Sequence, residues 1–256
     1  MFEVTARLKV REGELDGFKE QAAEVMRQAK EQDTKTLRYD WFISNDGAKC
    51  EVREGYVDAD GLLEHSDHVG EARAKLFSDF AFDHDMTVYG EPSPALADAF
   101  EAMADHVTWH RYSLFEALDA EGEVPHDDAI FEAGARLKIR EGELEGFKRQ
   151  VTEIMRQTQQ QGAKPLRYDW FLSDDGSECE VREAYADADA LLDQQRRIGE
   201  AKAKLFGFVS GHSMTFYGDL SPALVAALEA MGTTLEQFVF LQGLQTDVKV
   251  RDQVPV

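Results

Sequence analysis

The sequence predicts a mixed α+β protein built from two similar repeats. The first observation is an internal duplication: the segment from Ala6 to Leu15 returns as Ala135 to Leu144, at an offset of 129 residues (135 minus 6). The second is the order of apolar patterns in each repeat, which is the ferredoxin-like order β-α-β-β-α-β. The third is that two helices cover only one face of such a sheet and leave the other face bare. We therefore expect the repeats to pair within the chain as an intramolecular dimeric α+β barrel of eight strands.

The duplication also predicts the domain limits. After one deletion in the second repeat the match resumes at an offset of 128 residues (214 minus 86), and Ser93-Pro94-Ala95-Leu96 returns as Ser221-Pro222-Ala223-Leu224. We expect the first repeat over residues 1–118, a polar linker over 119–129, the second repeat over 130–245 and a tail over 246–256. Each repeat is long enough to enclose a core of its own.

The spacing of apolar residues predicts each element of the first repeat. A hairpin turn with Gly47 joins the second and third strands, and Ser93 caps a short helix that Pro94 opens. The predicted strands are 2–10, 37–43, 50–57, 86–89 and 107–115, and the predicted helices are 15–31, 58–77 and 94–103.

Composition excludes several classes of partner. The net charge of −22 argues against nucleic acid and anionic membranes, because phosphate contacts need clustered Lys and Arg. No apolar run approaches the length of a membrane span, and Met1–Val4 lacks the features of a signal peptide, so we expect a cytoplasmic protein. Cys50 and Cys179 occupy equivalent strand positions and are expected to be buried free thiols rather than a disulfide or zinc ligands.

Charged residues share one face of the predicted strands. Strand alternation places them opposite the apolar residues that pack under the helices. They can form cross-strand ion pairs that stabilise the sheet, or an anion-binding site inside the barrel, and the sequence leaves both interpretations open. The set is Arg7, Lys9, Arg38, Asp40, Glu51 and Arg53, repeated as Arg136, Lys138, Arg167, Asp169, Glu180 and Arg182.

Glu54 falls on the apolar face of its strand. A buried carboxylate needs a partner or a proton, and His65 on the following helix is the candidate partner. A Glu54–His65 pair beside Tyr39, Trp41 and Tyr56 could perform general acid–base chemistry, because burial and pairing bring both pKa values toward neutrality. The alternative is a structural hydrogen bond that anchors the helix to the sheet.

The two repeats differ at this point. Glu54 and the three aromatic residues are kept in the second repeat, where they are Glu183, Tyr168, Trp170 and Tyr185. His65 is replaced by Gln194 and His68 by Arg197. Since glutamine does not titrate, any chemistry that uses His65 is confined to the first repeat.

We expect no metal and no cofactor. His65 and His68 are spaced i, i+3, and His106 and His110 i, i+4, a spacing that metal sites on helices use. However, 107–115 resembles a strand, and no HExxH motif accompanies these residues. His84 persists as His212, which suggests a structural role. No nucleotide-binding or haem motif is present in the sequence.

Several of these segments resemble the antibiotic-biosynthesis monooxygenase family, within the dimeric α+β barrel superfamily. They are Leu8–Gly13, Leu37-Arg38-Tyr39, Glu54-Gly55-Tyr56-Val57-Asp58 followed by His65, and Val88–Ser93, the last being similar to a subgroup named after quinol monooxygenases. The resemblance covers nearly the whole chain and implies a fused pair of single-domain subunits, with further homodimerisation left open. It also implies a pocket between the sheet and the helices.

The resemblance implies a cofactor-independent monooxygenase that uses O₂ on a small aromatic, phenol or hydroquinone in the pocket of the first repeat. His65 would take the phenolic proton and Glu54 would orient it, while Tyr39, Trp41, Tyr56 and His68 would bind the substrate. The haem-degrading branch needs an Asn near Ala6 and does not fit. Two alternatives stay open: a non-catalytic small-molecule-binding or stress-associated protein, and an acid–base isomerase that uses the same pair.

Overall fold

The computed structural model describes residues 1–118, 131–160, 165–218, 220, 222–230 and 235–244. Contacts divide the chain into two compact units, one of Met1–Arg111 with the chain from Val239 onwards and the other of Tyr112–Phe238. The expected linker over 119–129 and the expected tail over 246–256 lie outside the described residues. The repeat limits 1–118 and 130–245 stay a prediction.

The first unit contains β1 (Phe2–Val10), α1 (Leu15–Gln32), β2 (Thr36–Ser44), β3 (Lys49–Tyr56), α2 (Ala59–His68), α3 (Gly70–Lys75), a π-helical turn (Leu76–Phe80), β4 (Ala81–Tyr89) and α4 (Pro94–Ala102). Its four-stranded antiparallel sheet has the order β4-β1-β3-β2. The last strand of each repeat, β5 (Thr108–Ala117) in the first and β10 (Leu235–Gly243) in the second, is divided between the two units.

The second unit repeats this arrangement with β6 (Phe131–Ile139), α5 (Leu144–Gln160), β7 (Arg167–Ser173), β8 (Glu178–Tyr185), α6 (Ala188–Arg197), α7 (Gly199–Phe206), β9 (Val209–Tyr217) and α8 (Pro222–Ala230). Its sheet order is β9-β6-β8-β7. Residues of β5 from Tyr112 pair antiparallel with β7, and residues of β10 up to Phe238 pair parallel with β9. The predicted α+β class and the ferredoxin-like order are confirmed. The described residues hold ten strands rather than eight, because a strand also follows each of the short helices α4 and α8.

Each unit has its own apolar core between its sheet and its helices. Alternate residues of β1, such as Val4 and Leu8, are buried together with Phe18 and Val25 of α1. Cys50 and its counterpart Cys179 are buried free thiols, as predicted. Burial, reinforced by a neighbouring glutamate, raises the pKa of both thiols and disfavours the reactive thiolate.

The charged face of the strands is held by ion pairs within each unit. In the first unit, Arg7 Nε lies 3.0 Å from Glu51 Oε2 and Arg53 Nε lies 3.4 Å from Glu51 Oε1. In the second unit the distance from Arg136 Nε to Glu180 Oε2 is 2.9 Å. These contacts favour the structural interpretation of the charged set over the anion site.

Two predicted elements differ from the structure. The helix expected over 58–77 is divided at Val69, where the next residue, Gly70, is a poor helix former, and the second unit breaks in the same way before Gly199. The fourth strand is longer than 86–89, because the polar segment from Ala81 also pairs with β1. Asp83 allows this with a φ of 59°, a conformation that Asp tolerates, near the irregularity in the register of the two strands. Among the described helices, none is long and apolar enough to cross a membrane.

The π-helical turn marks the place where the repeats differ in length. Gly17 contacts Phe80 in the first unit, and Gly146 contacts Phe208 in the second. The two glycines are offset by 129 residues (146 minus 17), whereas the two phenylalanines are offset by 128 (208 minus 80). The first repeat therefore has one extra residue before Phe80, and the wider π turn accommodates it while the glycine–phenylalanine contact is kept.

This contact predicts the effect of substituting Gly17. A Cβ at that position would lie 2.5 Å from Phe80 Cε1, so the ring must move. We expect Gly17→Ala to destabilise the protein by about 1–3 kcal/mol, although alanine is the better helix former. Urea unfolding measures the change. Gly70→Ala is the control, since nothing lies within 4 Å of its added Cβ and we expect it to be neutral or slightly stabilising. Equal stabilities for the two variants would contradict the prediction.

Candidate functional site

A small cavity lies between the sheet and the helices of the first unit. Its volume is about 30 Å³, which is room for about two water molecules. Most of its lining is buried, and only Arg73, Phe77 and His84 are half-buried, so these three form its rim. The buried lining consists of Ala6, Leu8, Val25, Tyr39, Trp41, Val52, Glu54, Leu62, His65, Leu76 and Met86.

Four of the six predicted site residues line this cavity. Glu54, His65, Tyr39 and Trp41 contribute to it. Tyr56 and His68 are outside the lining, and each contacts a neighbour of the cavity by a hydrogen bond, Tyr56 to Glu54 and His68 to Asp33.

Asp33 joins the two imidazoles of α2. It follows the last residue of α1, and its side chain is only 3% exposed. Its Oδ2 lies 2.6 Å from Nδ1 of His65, and its Oδ1 lies 2.8 Å from Nδ1 of His68. The i, i+3 spacing places both rings on one face of α2, so a single carboxylate can reach both. Thr36 donates a third hydrogen bond to Asp33, at 2.8 Å.

The charge of Asp33 determines which nitrogen of His65 is free. Burial alone would raise the pKa of Asp33, but the hydrogen bonds and positive charge of the histidines outweigh it, and the pKa is lowered. An ionised carboxylate only accepts hydrogen bonds, so Nδ1 of His65 carries the proton. In the neutral ring, Nε2 is then the basic nitrogen.

Glu54 has a different partner from the one predicted. Its carboxyl accepts a hydrogen bond from the Tyr56 hydroxyl at 2.6 Å, and in the described part of the chain His65 bonds to Asp33 instead. Glu54 and His65 share the cavity without a direct hydrogen bond. Burial raises the pKa of Glu54, and the nearby positive charges of His65 and Arg73 oppose this only in part.

Aromatic rings surround the imidazole. The Tyr39 ring meets His65 edge-on, with 4.5 Å between ring centroids, and Trp41 lies 5.7 Å from Tyr39. Burial, together with the charge of Glu54, raises the pKa of Tyr39 and keeps its phenol neutral. Trp41 is 2% exposed, and its indole Nε1 has no hydrogen-bond acceptor within the described part of the chain. An unsatisfied buried donor is costly, so an oxygen atom of a ligand or water would bind favourably there.

The rim consists of a cation and two stacked rings. Arg73 belongs to α3, Phe77 to the π-helical turn and His84 to β4. The rings of Phe77 and His84 stack with 4.5 Å between centroids. Burial, with a contribution from the charge of Arg73, lowers the pKa of His84 to about 4, so this imidazole is neutral near physiological pH.

The second unit lacks the histidine cluster of Asp33, His65 and His68. Gln194, at the position of His65, donates a hydrogen bond of 2.7 Å to Thr158, which replaces Ala29 of the first repeat. The sequence has Gly162 at the position of Asp33 and Arg197 at that of His68. Glu183 keeps its bond to Tyr185. The three members of the cluster therefore differ together between the repeats.

Sequence reasoning missed Asp33 and Arg73. The change of Asp33 to Gly162 accompanies the loss of both histidines, and that joint difference was readable from the duplication.

The other predicted histidine pair is separated: His110 lies in β5 and bonds to Asp85 at 2.9 Å, while His106 is exposed in the preceding turn. No three His, Cys, Asp or Glu residues come together as a metal site within the described ranges.

The environment of Glu54 predicts a pH-dependent stability. Because burial raises its pKa, the folded protein binds this proton more tightly than the unfolded chain. The resulting stabilisation is complete below the unfolded pKa and is lost as the pH rises through the folded pKa. Glu54→Gln, which resembles the protonated acid, should gain stability relative to wild type as the pH rises from 4 to 8. Urea unfolding across that range gives the free energy of unfolding of both proteins. If the stability of Glu54→Gln relative to wild type stays constant or falls as the pH rises, the prediction is contradicted.

The chain matches no protein-family model and no curated protein. Solved structures resemble it in fold. A “putative monooxygenase” from Fusobacterium nucleatum is 11% identical, with a TM-score of 0.60 over 83% of this chain and 89% of the other. A “putative monooxygenase” from Lactobacillus acidophilus is also 11% identical, with a TM-score of 0.55 over 83% and 90% of the two chains. A “putative antibiotic biosynthesis monooxygenase” from Nitrosomonas europaea is 15% identical over 38% of this chain and 97% of its own, with a TM-score of 0.33. The first two structures confirm the predicted resemblance at the level of fold: the chain has the α+β fold of proteins described as monooxygenases.

Proposed function

We propose that the chain is a cofactor-independent monooxygenase that oxidises a small phenol or hydroquinone in the cavity of the first unit. The observation that carries the proposal is the hydrogen bond between Asp33 and His65, which leaves Nε2 as the basic nitrogen of a ring that lines an enclosed aromatic cavity. The fold shared with proteins described as monooxygenases supports it. A cytoplasmic location and further homodimerisation stay predictions.

The first step is removal of the phenolic proton. Nε2 of His65 accepts this proton, and the imidazolium that forms is stabilised by the Asp33 carboxylate bonded to Nδ1. The resulting phenolate is electron-rich enough to react with O₂ directly. Burial raises the pKa of Glu54, which disfavours a second negative charge beside the phenolate.

The redox balance needs no external reductant. A carbon of the phenolate forms a bond to O₂, and the imidazolium of His65 returns its proton to the peroxide. Loss of the proton on that carbon then breaks the O–O bond, so that one oxygen atom stays as a carbonyl and the other leaves as water. A hydroquinone becomes a hydroxyquinone, and the substrate supplies all four electrons that reduce O₂. The protein contributes a base, orientation and a site shielded from water.

The aromatic residues hold the substrate ring. Tyr39 and Trp41 contact the ring, and the unsatisfied indole N–H of Trp41 donates to a substrate oxygen. Tyr56 fixes the Glu54 carboxyl, and His68 fixes the Asp33 carboxylate. The cavity of about 30 Å³ is smaller than an aromatic ring, so the substrate must displace rim side chains such as Phe77. Phe77 belongs to the π-helical turn, a type of element that often occurs at functional sites.

Oxygen uptake with a panel of hydroquinones tests the base. His65→Ala should lower the rate by about 10²–10⁴-fold, because it removes the proton acceptor. Gln194→His is the matched variant in the second repeat and should add no activity, since Gly162 stands at the position of Asp33, the residue that orients His65. If oxygen uptake is unchanged in His65→Ala, His65 is not the base. Uptake that is absent with every substrate, alongside measurable binding, would favour the non-catalytic alternative.

A second variant tests the role of Asp33. Asp33→Asn keeps the size of the side chain but loses the charge that stabilises the imidazolium and fixes its tautomer. We expect kcat to fall by about 10–100-fold. Asp67→Asn, at an exposed position of α2, the helix that carries His65, is the control and should leave kcat unchanged. A wild-type kcat for Asp33→Asn would show that the carboxylate is only structural.

A further inference from the structure

The rim of the cavity carries a cation without an anionic partner. Arg73 is half-buried, and its Nη1 donates a hydrogen bond of 3.3 Å to the Ser66 hydroxyl. Among the described residues, no carboxylate lies within ion-pair distance of its guanidinium. A guanidinium has five N–H donors, so most of its hydrogen-bonding capacity is available to a ligand.

Other arginines of the first unit are engaged by carboxylates. Arg7 pairs with Glu51, Arg38 with Asp40 and Arg27 with Glu24. A partly desolvated cation that is left without an anion is unfavourable. Arg11 bonds to a backbone carbonyl rather than to a carboxylate, but it is exposed. Arg73 therefore differs from the other half-buried or buried arginines in the described part of the first unit.

The second repeat has a lysine at the position of Arg73. Lys202 donates a short hydrogen bond to the side chain of Gln195. Burial lowers the pKa of this ammonium, and the charge of Glu183 opposes that shift only in part. Lysine also lacks the planar fork with which arginine binds a carboxylate through two parallel hydrogen bonds.

We propose that Arg73 binds the carboxylate of the substrate, so that the site selects hydroxylated aromatic acids over neutral phenols. This inference rests on the proposed function, which places the phenolic hydroxyl at His65. His65 and Arg73 lie at different depths in the cavity, and this difference sets the orientation of the substrate. His65 is 2% exposed, whereas Arg73 is at the half-exposed rim. The neutral ring can therefore enter the cavity while the carboxylate keeps part of its hydration, which limits the cost of desolvation.

The surroundings of Arg73 leave its charge available. The neighbouring rim residues, Phe77 and the neutral His84, offer no competing anion. The charge of Arg73 acts to lower the pKa of Glu54, but Glu54 accepts its hydrogen bond from Tyr56. The net charge of −22 repels anions at long range, so a carboxylate binds only where a cation contacts it directly.

Binding measured without oxygen tests the proposal. Hydroquinone and 2,5-dihydroxybenzoate differ by one carboxylate, and calorimetry under anaerobic conditions gives both affinities. We expect wild type to bind the acid at least about tenfold more tightly than hydroquinone, and Arg73→Gln to lose that preference while its affinity for hydroquinone changes by less than about threefold. Arg73→Lys should keep part of the preference. Arg11→Gln is the matched control, since it removes an equal charge from an exposed residue that bonds to the Phe77 carbonyl, and it should keep the full preference.

The outcomes separate this inference from the proposed function. Equal affinities in wild type, or a preference that survives in Arg73→Gln, would overturn the role of Arg73 and leave the oxygenase proposal standing. A preference that depends on Arg73, in a protein that consumes no oxygen with either compound, would support the anion site and reject the oxygenase. If neither compound binds to wild type, both proposals are rejected. Circular dichroism of each variant shows whether a loss of binding reflects misfolding.

Discussion

The hydrogen bonds of Asp33 connect the structure of the first unit to its candidate chemistry. One carboxylate ends α1, receives two imidazoles from α2 and holds them at 2.6 and 2.8 Å. The same contacts lower its pKa in spite of burial, because each ring stabilises the anion. Packing and the candidate chemistry therefore depend on one group. Without its charge, α2 would lose an attachment to α1, and His65 would lose the interaction that sets its tautomer.

Much of the fold was predictable, because duplication and strand alternation are strong signals. The limits of β1 and α1 follow the apolar spacing closely, and Ser93 caps α4 as expected. The errors have local causes. Ala81–Asp85 is polar and looks like a loop, yet it pairs with β1, and a single extra residue before Phe80 turns the end of a predicted α-helix into a π turn. Single-sequence periodicity cannot show either effect, since both depend on partners elsewhere in the sheet and in α1.

The candidate site was predictable in part. Burial of Glu54 and His65 beside Tyr39 and Trp41 followed from the faces of strands and helices. The predicted pairing of Glu54 with His65 was wrong, because His65 bonds to the Asp33 carboxylate at the end of α1, while Glu54 on β3 bonds to Tyr56. Asp33 stands in a short connection without apolar periodicity, so its position relative to α2 cannot be derived from patterning. Only the replacement of Asp33 by Gly162 in the second repeat indicated that Asp33 belongs to the histidine cluster.

The hydrogen bond between Gln194 and Thr158 has a consequence for how such a chain can evolve. In a homodimer encoded by one gene, every substitution is present in both subunits, so a threonine that suits a glutamine in one half would also stand beside the histidine in the other. Fusion of two gene copies removes that restriction. One half can exchange alanine for threonine and histidine for glutamine as a compensating pair, while its twin keeps the ancestral or newly acquired imidazole. Division of labour between a reactive half and a supporting half is thus open to the fused protein and closed to a symmetric dimer.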